Sequence, residues 1–82
     1  MSDARAPVSA DPLNDTDRAL LREMSDGERH DAPELAALTQ RNRSYINTRL
    51  RHLTQHGFAH AIQHSRGMYE ITTKGMGVCV DE

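Results

Sequence analysis

Read as apolar against polar positions, the chain changes period partway along. Leu20, Leu21 and Met24 recur at three- and four-residue steps. So do Leu35, Leu38 and Thr39, with Ala36 beside them, and again Ile46, Leu50 and Leu53. Steps of this kind bring side chains back to one face of a helix turning about 100° per residue. After residue 57 the content becomes strand-like: Phe58 and Ile62 share one face of a first run, and Tyr69 and Ile71 share one face of a second. The pattern predicts helices over 14–25, 31–39 and 43–56, then a hairpin over 58–72. Leu20, Leu21, Met24, Leu35, Leu38, Ile46, Leu50, Leu53, Phe58, Ile62, Tyr69 and Ile71 are the candidate core.

Punctuating residues support these boundaries. Asn14 suits an N-cap, with Asp15 and Asp17 in the positive first turn. Asp17, Arg18, Arg22 and Glu23 are expected to face water, and Gly27 to stop the helix. Asp31 caps the second helix, with Pro33 in its first turn and Glu34 placed for a capping box. Gln40-Arg41-Asn42 is a tight turn whose last residue caps the third helix, and Gly57 ends that helix. Ser65-Arg66-Gly67 turns the hairpin. The connection over 28–30 is where a minimal edge strand would pair with the hairpin, although its residues carry little strand signal. The expected fold class is α+β: a winged helix-turn-helix, three helices followed by a two-stranded β-hairpin wing. Such a unit usually puts its second helix into a DNA major groove.

The chain has 82 residues, which allows one domain. Residues 1–12 read as a flexible N-terminal tail with little to bury, and 13–82 as the winged helix DNA-binding domain. At the other end Met76, Cys79 and Val80 could form the apolar side of one helical turn, weakened by Gly75 and Gly77, and serve packing or a dimer contact. Aromatic residues are only 4% of the chain, too few to line a large ligand cavity, so no small-molecule ligand is expected. The single cysteine, Cys79, excludes an internal disulfide. Without an apolar run of spanning length or a signal-like start, the expected location is cytoplasmic, with no membrane partner.

Charge changes the picture. The formal net charge of −2 does not advertise nucleic acid, but the average conceals an asymmetry. No Asp or Glu occurs between Leu35 and Tyr69, whereas Arg41, Arg43, Arg49, Arg51 and Arg66 fall inside that window. On the third helix Ser44, Thr48, Arg51 and Gln55 lie opposite the aliphatic stripe, flanked by Asn47, Tyr45 and His52. Arg can fork onto guanine O6 and N7, Asn can pair with adenine N6 and N7, and Ser and Thr are tolerant. An ordinary amphipathic surface helix would mix acids with these bases in spaced ion pairs; none is there. The candidate DNA-binding residues are Arg41, Arg43, Ser44, Tyr45, Asn47, Thr48, Arg51, His52 and Gln55, with Arg66 at the tip of a wing over 63–68 reaching backbone phosphate or the minor groove. The expected activity is sequence-specific binding of double-stranded DNA by a homodimer, as a transcriptional regulator and more specifically a repressor.

Two rival readings keep the fold. A winged helix can serve only as a protein–protein interaction module. Alternatively His52, His56, His60 and His64, which recur every four residues, could make a metal-responsive repressor. Gly57 divides that series and no thiolate or carboxylate cluster accompanies it, so neither metal nor cofactor is assigned. Catalysis lacks a base beside Cys79, paired carboxylates or a phosphate-cradling glycine loop, so no catalytic residue is assigned and no enzyme is expected.

The run ELAALTQRNRSYINTRLRHLTQHGF, followed by a short hairpin and YEITTKG, resembles the archaeal winged-helix transcriptional regulators, and within them the haloarchaeal phage-repressor-like family. The resemblance spans nearly everything from Leu13 to Gly75. It implies a cytoplasmic, usually dimeric regulator whose recognition helix opens at Arg43-Ser44-Tyr45-Ile46 and continues through Arg49-Leu50-Arg51. Gln40 and Arg41 depart from the Gly and aliphatic residue common at those positions, and the C-terminal helix that often builds a dimer is curtailed.

Overall fold

A computed structural model of the chain describes residues 13–64 and 66–81. The tail expected over 1–12 and Ser65 of the hairpin turn lie outside the described residues. Helix α1, Asp15–Met24, starts where side chains replace missing helical partners: Asn14 Oδ1 accepts from the Asp17 amide at 2.8 Å, and Asp17 Oδ2 accepts from the Asn14 amide at 2.9 Å. A two-residue strand β1, His30–Asp31, leads directly into α2, Ala32–Thr39, where Asp31 Oδ1 caps the Glu34 amide at 2.9 Å. Helix α2 ends on Gln40 in the left-handed conformation at φ 59°, the position where the resemblance anticipates glycine. Asn42 then caps α3, Arg43–Gln55, by accepting from the Tyr45 amide at 3.1 Å.

Strands β2, Ala59–Ala61, and β3, Met68–Ile71, follow. The sheet is antiparallel with order β1-β3-β2, so the edge strand before α2 does pair with the hairpin, His30 opposite Tyr69 and Asp31 opposite Met68. On the other side Ala59 faces Ile71, His60 faces Glu70 and Ala61 faces Tyr69. A fourth helix, α4, Thr73–Asp81, packs back on α1 and β3. Thr72 fixes its start: its hydroxyl donates to Gly57 O at 2.6 Å and accepts from the Gly75 amide at 3.1 Å. The class is α+β, with four helices and three antiparallel strands among the described residues where three helices and two strands are expected from sequence.

Leu20, Leu21, Met24, Leu35, Ile46, Leu50, Leu53 and Phe58 are buried together with Ala32, Ala36 and Ala59, and Leu13, Tyr69, Ile71, Val78 and Cys79 pack against them. Each fully buried large aliphatic contributes about 1.5–3 kcal/mol relative to exposure. Two expected core residues are elsewhere. Leu38 is 50% exposed, because α2 buries the stripe of Ala32, Leu35 and Ala36, and Leu38 lies about 110° from its centre at helical pitch. Ile62 falls beyond the end of β2 and is not part of the core. Past the last residue of β2 the strand no longer carries its side chain to the helices; the Ile62 amide closes the hairpin by donating to Met68 O at 2.9 Å.

The charged and C-terminal positions also depart from expectation. Asp17 does not face water: it is 0% exposed. In α4 the inward side is Gly75, Val78 and Cys79, whereas Met76 and Val80 are 38% and 79% exposed. Gly75 sets that register. A Cβ on it would stand 2.3 Å from Phe58 O and 2.7 Å from Ile71 Cγ1, so only glycine admits this approach of helix to sheet.

Candidate nucleic-acid interface

Helix α3 is held by its inner stripe, Ile46, Leu50 and Leu53, each fully buried. At about 100° per residue, Ser44, Thr48, Arg51 and Gln55 project on the opposite side, and all four are exposed. Asn47 and Arg43 are exposed on the flank towards the start of the helix. Thr48 returns its hydroxyl to Ser44 O at 3.2 Å, which leaves its oxygen free to accept from outside. This face is therefore a rigid strip of two hydroxyls, two carboxamides and arginines on a buried anchor.

The other expected residues are placed differently. Arg41, in the turn before α3, is exposed and donates from Nη1 to Thr39 O at 3.0 Å, which pins the guanidinium beside the turn. Tyr45 is half-exposed, but its hydroxyl accepts from Asn14 Nδ2 at 3.1 Å, so the ring leans towards the start of α1. His52 is partly buried, with its ring 4.4 Å from that of His56. Arg66 is exposed in the turn between β2 and β3. The sequence-predicted set thus divides into an outer strip (Arg43, Ser44, Asn47, Thr48, Arg51, Gln55), a wing-tip cation and three residues (Arg41, Tyr45, His52) that make contacts within the fold.

Arg49 makes the main electrostatic distinction. Its Nε donates to Asp17 Oδ1 at 2.8 Å and its Nη2 to Asp17 Oδ2 at 2.6 Å. The hydrogen bonds it donates to Asp17, opposed by burial, raise the guanidinium pKa further. Arg49 is thus neutralised inside the fold, and among the described residues Arg41, Arg43, Arg51 and Arg66 have no carboxylate partner. Three further acids are paired with other residues: Glu70 with His60 at 2.9 Å and Arg29 at 4.0 Å, and Asp26 and Glu34 with His30. The Arg49–Asp17 pair is missing from the sequence reading, yet a signal for it exists. Asp17 stands three and four residues before Leu20 and Leu21, and Arg49 three after Ile46, so each charge lies in the apolar stripe of its own helix.

The histidine series does not converge. The His52 and His56 rings meet at a tilt of 49° at the end of α3, Gly57 at φ 81° follows, His60 pairs with Glu70 across the sheet, and His64 is exposed in the turn. Among the described residues no three His, Cys, Asp or Glu side chains come together in a way that could hold a metal ion. No helix there is long and apolar enough to cross a membrane. Comparison of the chain with protein-family models, curated proteins and solved structures finds no match.

Proposed function

We propose that this protein is a winged helix-turn-helix transcriptional regulator that binds double-stranded DNA, with α3 entering the major groove and Arg66 on the β2–β3 turn holding phosphate. The observation that carries this reading is the outer strip of α3, where Arg51 stands among Ser44, Thr48 and Gln55, free of carboxylates, on a helix anchored from behind. Rigid presentation of donors and acceptors suits base edges in the wide groove, and a cation on a turn tip suits backbone. The edge pairing of β1 with β3 and the tight turn before α3 agree with a winged helix, and the likeness to archaeal winged-helix regulators points the same way.

A single α3 spans only a few base pairs, so the working unit we infer is a two-fold dimer on a palindromic site, acting as a cytoplasmic repressor. Met76 and Val80, exposed on α4, are the apolar positions offered for that contact. One observation favours a protein-contact role instead: Leu38 is a large aliphatic left half-exposed on α2.

A fluorescence-anisotropy titration of labelled genomic duplex over a salt series separates the two readings. DNA binding gives an affinity that falls linearly in log–log form with salt, and a subset of fragments retained at the highest salt. Absence of duplex binding even at low salt would leave the protein-contact role. Sedimentation with and without the retained fragment tests the dimer, and a monomer in both would remove it.

A further inference from the structure

His30 is buried at the join of three elements, with its side chain 6% exposed. Its Nε2 stands 2.9 Å from Asp26 Oδ1, in the connection after α1, and its Nδ1 stands 2.9 Å from Glu34 Oε1, on α2. A neutral imidazole has one N–H and one bare nitrogen, and an ionised carboxylate only accepts. Both contacts are hydrogen bonds at once only when the ring carries two protons. We propose that His30 is a proton-operated latch: as imidazolium it clamps the α1–β1 connection and the first turn of α2 onto strand β1, and on losing a proton it releases β1 from that clamp.

The surroundings favour this. Asp26 faces the ring from the connection, where its Oδ1 also accepts from the Glu28 amide at 2.9 Å. Glu34 faces it from α2, whose N-cap Asp31 adds a further negative charge next to His30 in sequence. Across the sheet Tyr69 is the register partner, followed by Glu70, whose charge is taken up by His60 and Arg29. Burial alone would lower the ring's pKa; the hydrogen bonds to Asp26 and then Glu34 more than offset it, so the proton is held above the ordinary histidine range. Deprotonation leaves a ring lone pair against a carboxylate, a repulsive contact in a buried place, and one side of the clamp must open. Strand β1 is only two residues long, so it has little else to retain it on β3. The latch is independent of what the outer strip of α3 binds.

The test uses the whole chain labelled with ¹⁵N. Imidazole nitrogen shifts report the protonation of His30 through a pH titration, and amide exchange reports β1 against β2. The expected result is a His30 still doubly protonated at pH values where an ordinary imidazole is already neutral, and a midpoint lowered in both Asp26→Asn and Glu34→Gln. Both changes are on half-exposed side chains, so folding should survive them; should one variant fail to fold, the other carries the comparison. Above the His30 midpoint, after correction for intrinsic base catalysis, β1 amides lose protection while β2 amides keep theirs. A His30 that titrates in the ordinary imidazole range, midpoints unmoved in the folded variants, or β1 and β2 losing protection in parallel would each overturn the latch.

Discussion

Arg49 and Asp17, 32 residues apart in sequence, meet through two parallel hydrogen bonds of 2.8 and 2.6 Å, and the same carboxylate caps the helix it stands in by accepting from Asn14. One fully buried acid thus takes three donors and ties the start of α1 to the middle of α3. The desolvation cost of the pair is offset by a fork-to-fork geometry that leaves few lone pairs empty. Its consequence for the proposed function is angular: Arg49 fixes how α3 is rotated about its axis, and therefore which residues form the outer strip.

Removing one partner should be costly. Arg49→Met leaves a carboxylate in the core without its cation, and a loss of about 3–5 kcal/mol is expected, towards the lower end because Arg49 retains 18% exposure. Urea unfolding of Arg49→Met, Asp17→Leu and the double variant supplies the cycle. The double variant should be less destabilised than the sum of the two singles; strict additivity would show that the two side chains do not depend on each other.

Arg51 and Arg66 should separate by type of contact. If Arg51 reads a base, Arg51→Ala costs about 1–3 kcal/mol of binding and relaxes preference at one position of the site. Arg66→Ala should weaken all sequences alike and flatten the salt slope by about one. Leu50→Ala is the folding control: it should cost about 2–5 kcal/mol of stability and reduce binding only through the fraction unfolded. Duplex binding unchanged in both arginine variants across the salt series would exclude α3 and the turn as the contact surface.

The two glycines of α4 should respond in opposite directions. Gly75→Ala forces a methyl to within 2.3 Å of Phe58 O and should destabilise by about 1–3 kcal/mol or displace α4 from the sheet. Gly77→Ala meets nothing within 4 Å and should stabilise by about 0.5–1 kcal/mol, since alanine is the better helix former. Thermal unfolding of the two variants checks the signs, and equal effects would mean that α4 does not approach the sheet as described.

At the turn before α3, Gln40→Gly should stabilise the fold by up to about 1 kcal/mol, because a side chain at φ 59° carries a left-handed penalty that glycine avoids. The gain is limited by glycine's extra freedom in the unfolded chain. Denaturant midpoints decide it; a clear loss of stability would mean that the Gln40 side chain makes a contact outweighing the strain.

Stability should also follow pH with a definite sign. The folded pKa of His30 is raised, so its contribution is complete below the unfolded value of about 6.5 and is lost as pH rises through the higher folded value. Asp26 is lowered, first by the hydrogen bond with His30, so its contribution is complete above the unfolded carboxylate value and is lost as pH falls through the folded one. Unfolding free energy measured against pH should therefore plateau in the mildly acidic range and decline on both sides, and His30→Ala should remove the alkaline-side decline. An alkaline limb unchanged in that variant would assign it to other groups.

Local chemistry settled the boundaries of this fold. Asn14, Asp31 and Asn42 each place a side-chain oxygen where a helix start lacks acceptors, and that requirement can be read from neighbouring residues alone. The same holds for the stripe Ile46, Leu50 and Leu53 and hence for the opposite strip carrying Ser44, Thr48, Arg51 and Gln55, because helical pitch fixes both faces together. What lay beyond local reading depends on what stands across the gap. Asp17 and Arg49 each stand in the apolar stripe of a helix, but only the crossing of α1 and α3 decides that they meet. Leu38 follows a helical repeat, but the neighbours of α2 cover the adjacent Ala32–Leu35–Ala36 side. Helix α4 is disfavoured by its glycines taken singly, yet Gly75 is what lets the helix lie against Phe58 and Ile71. Packing overrides propensity there because close approach to the sheet needs a position with no side chain, a need that exists only once the two elements are together.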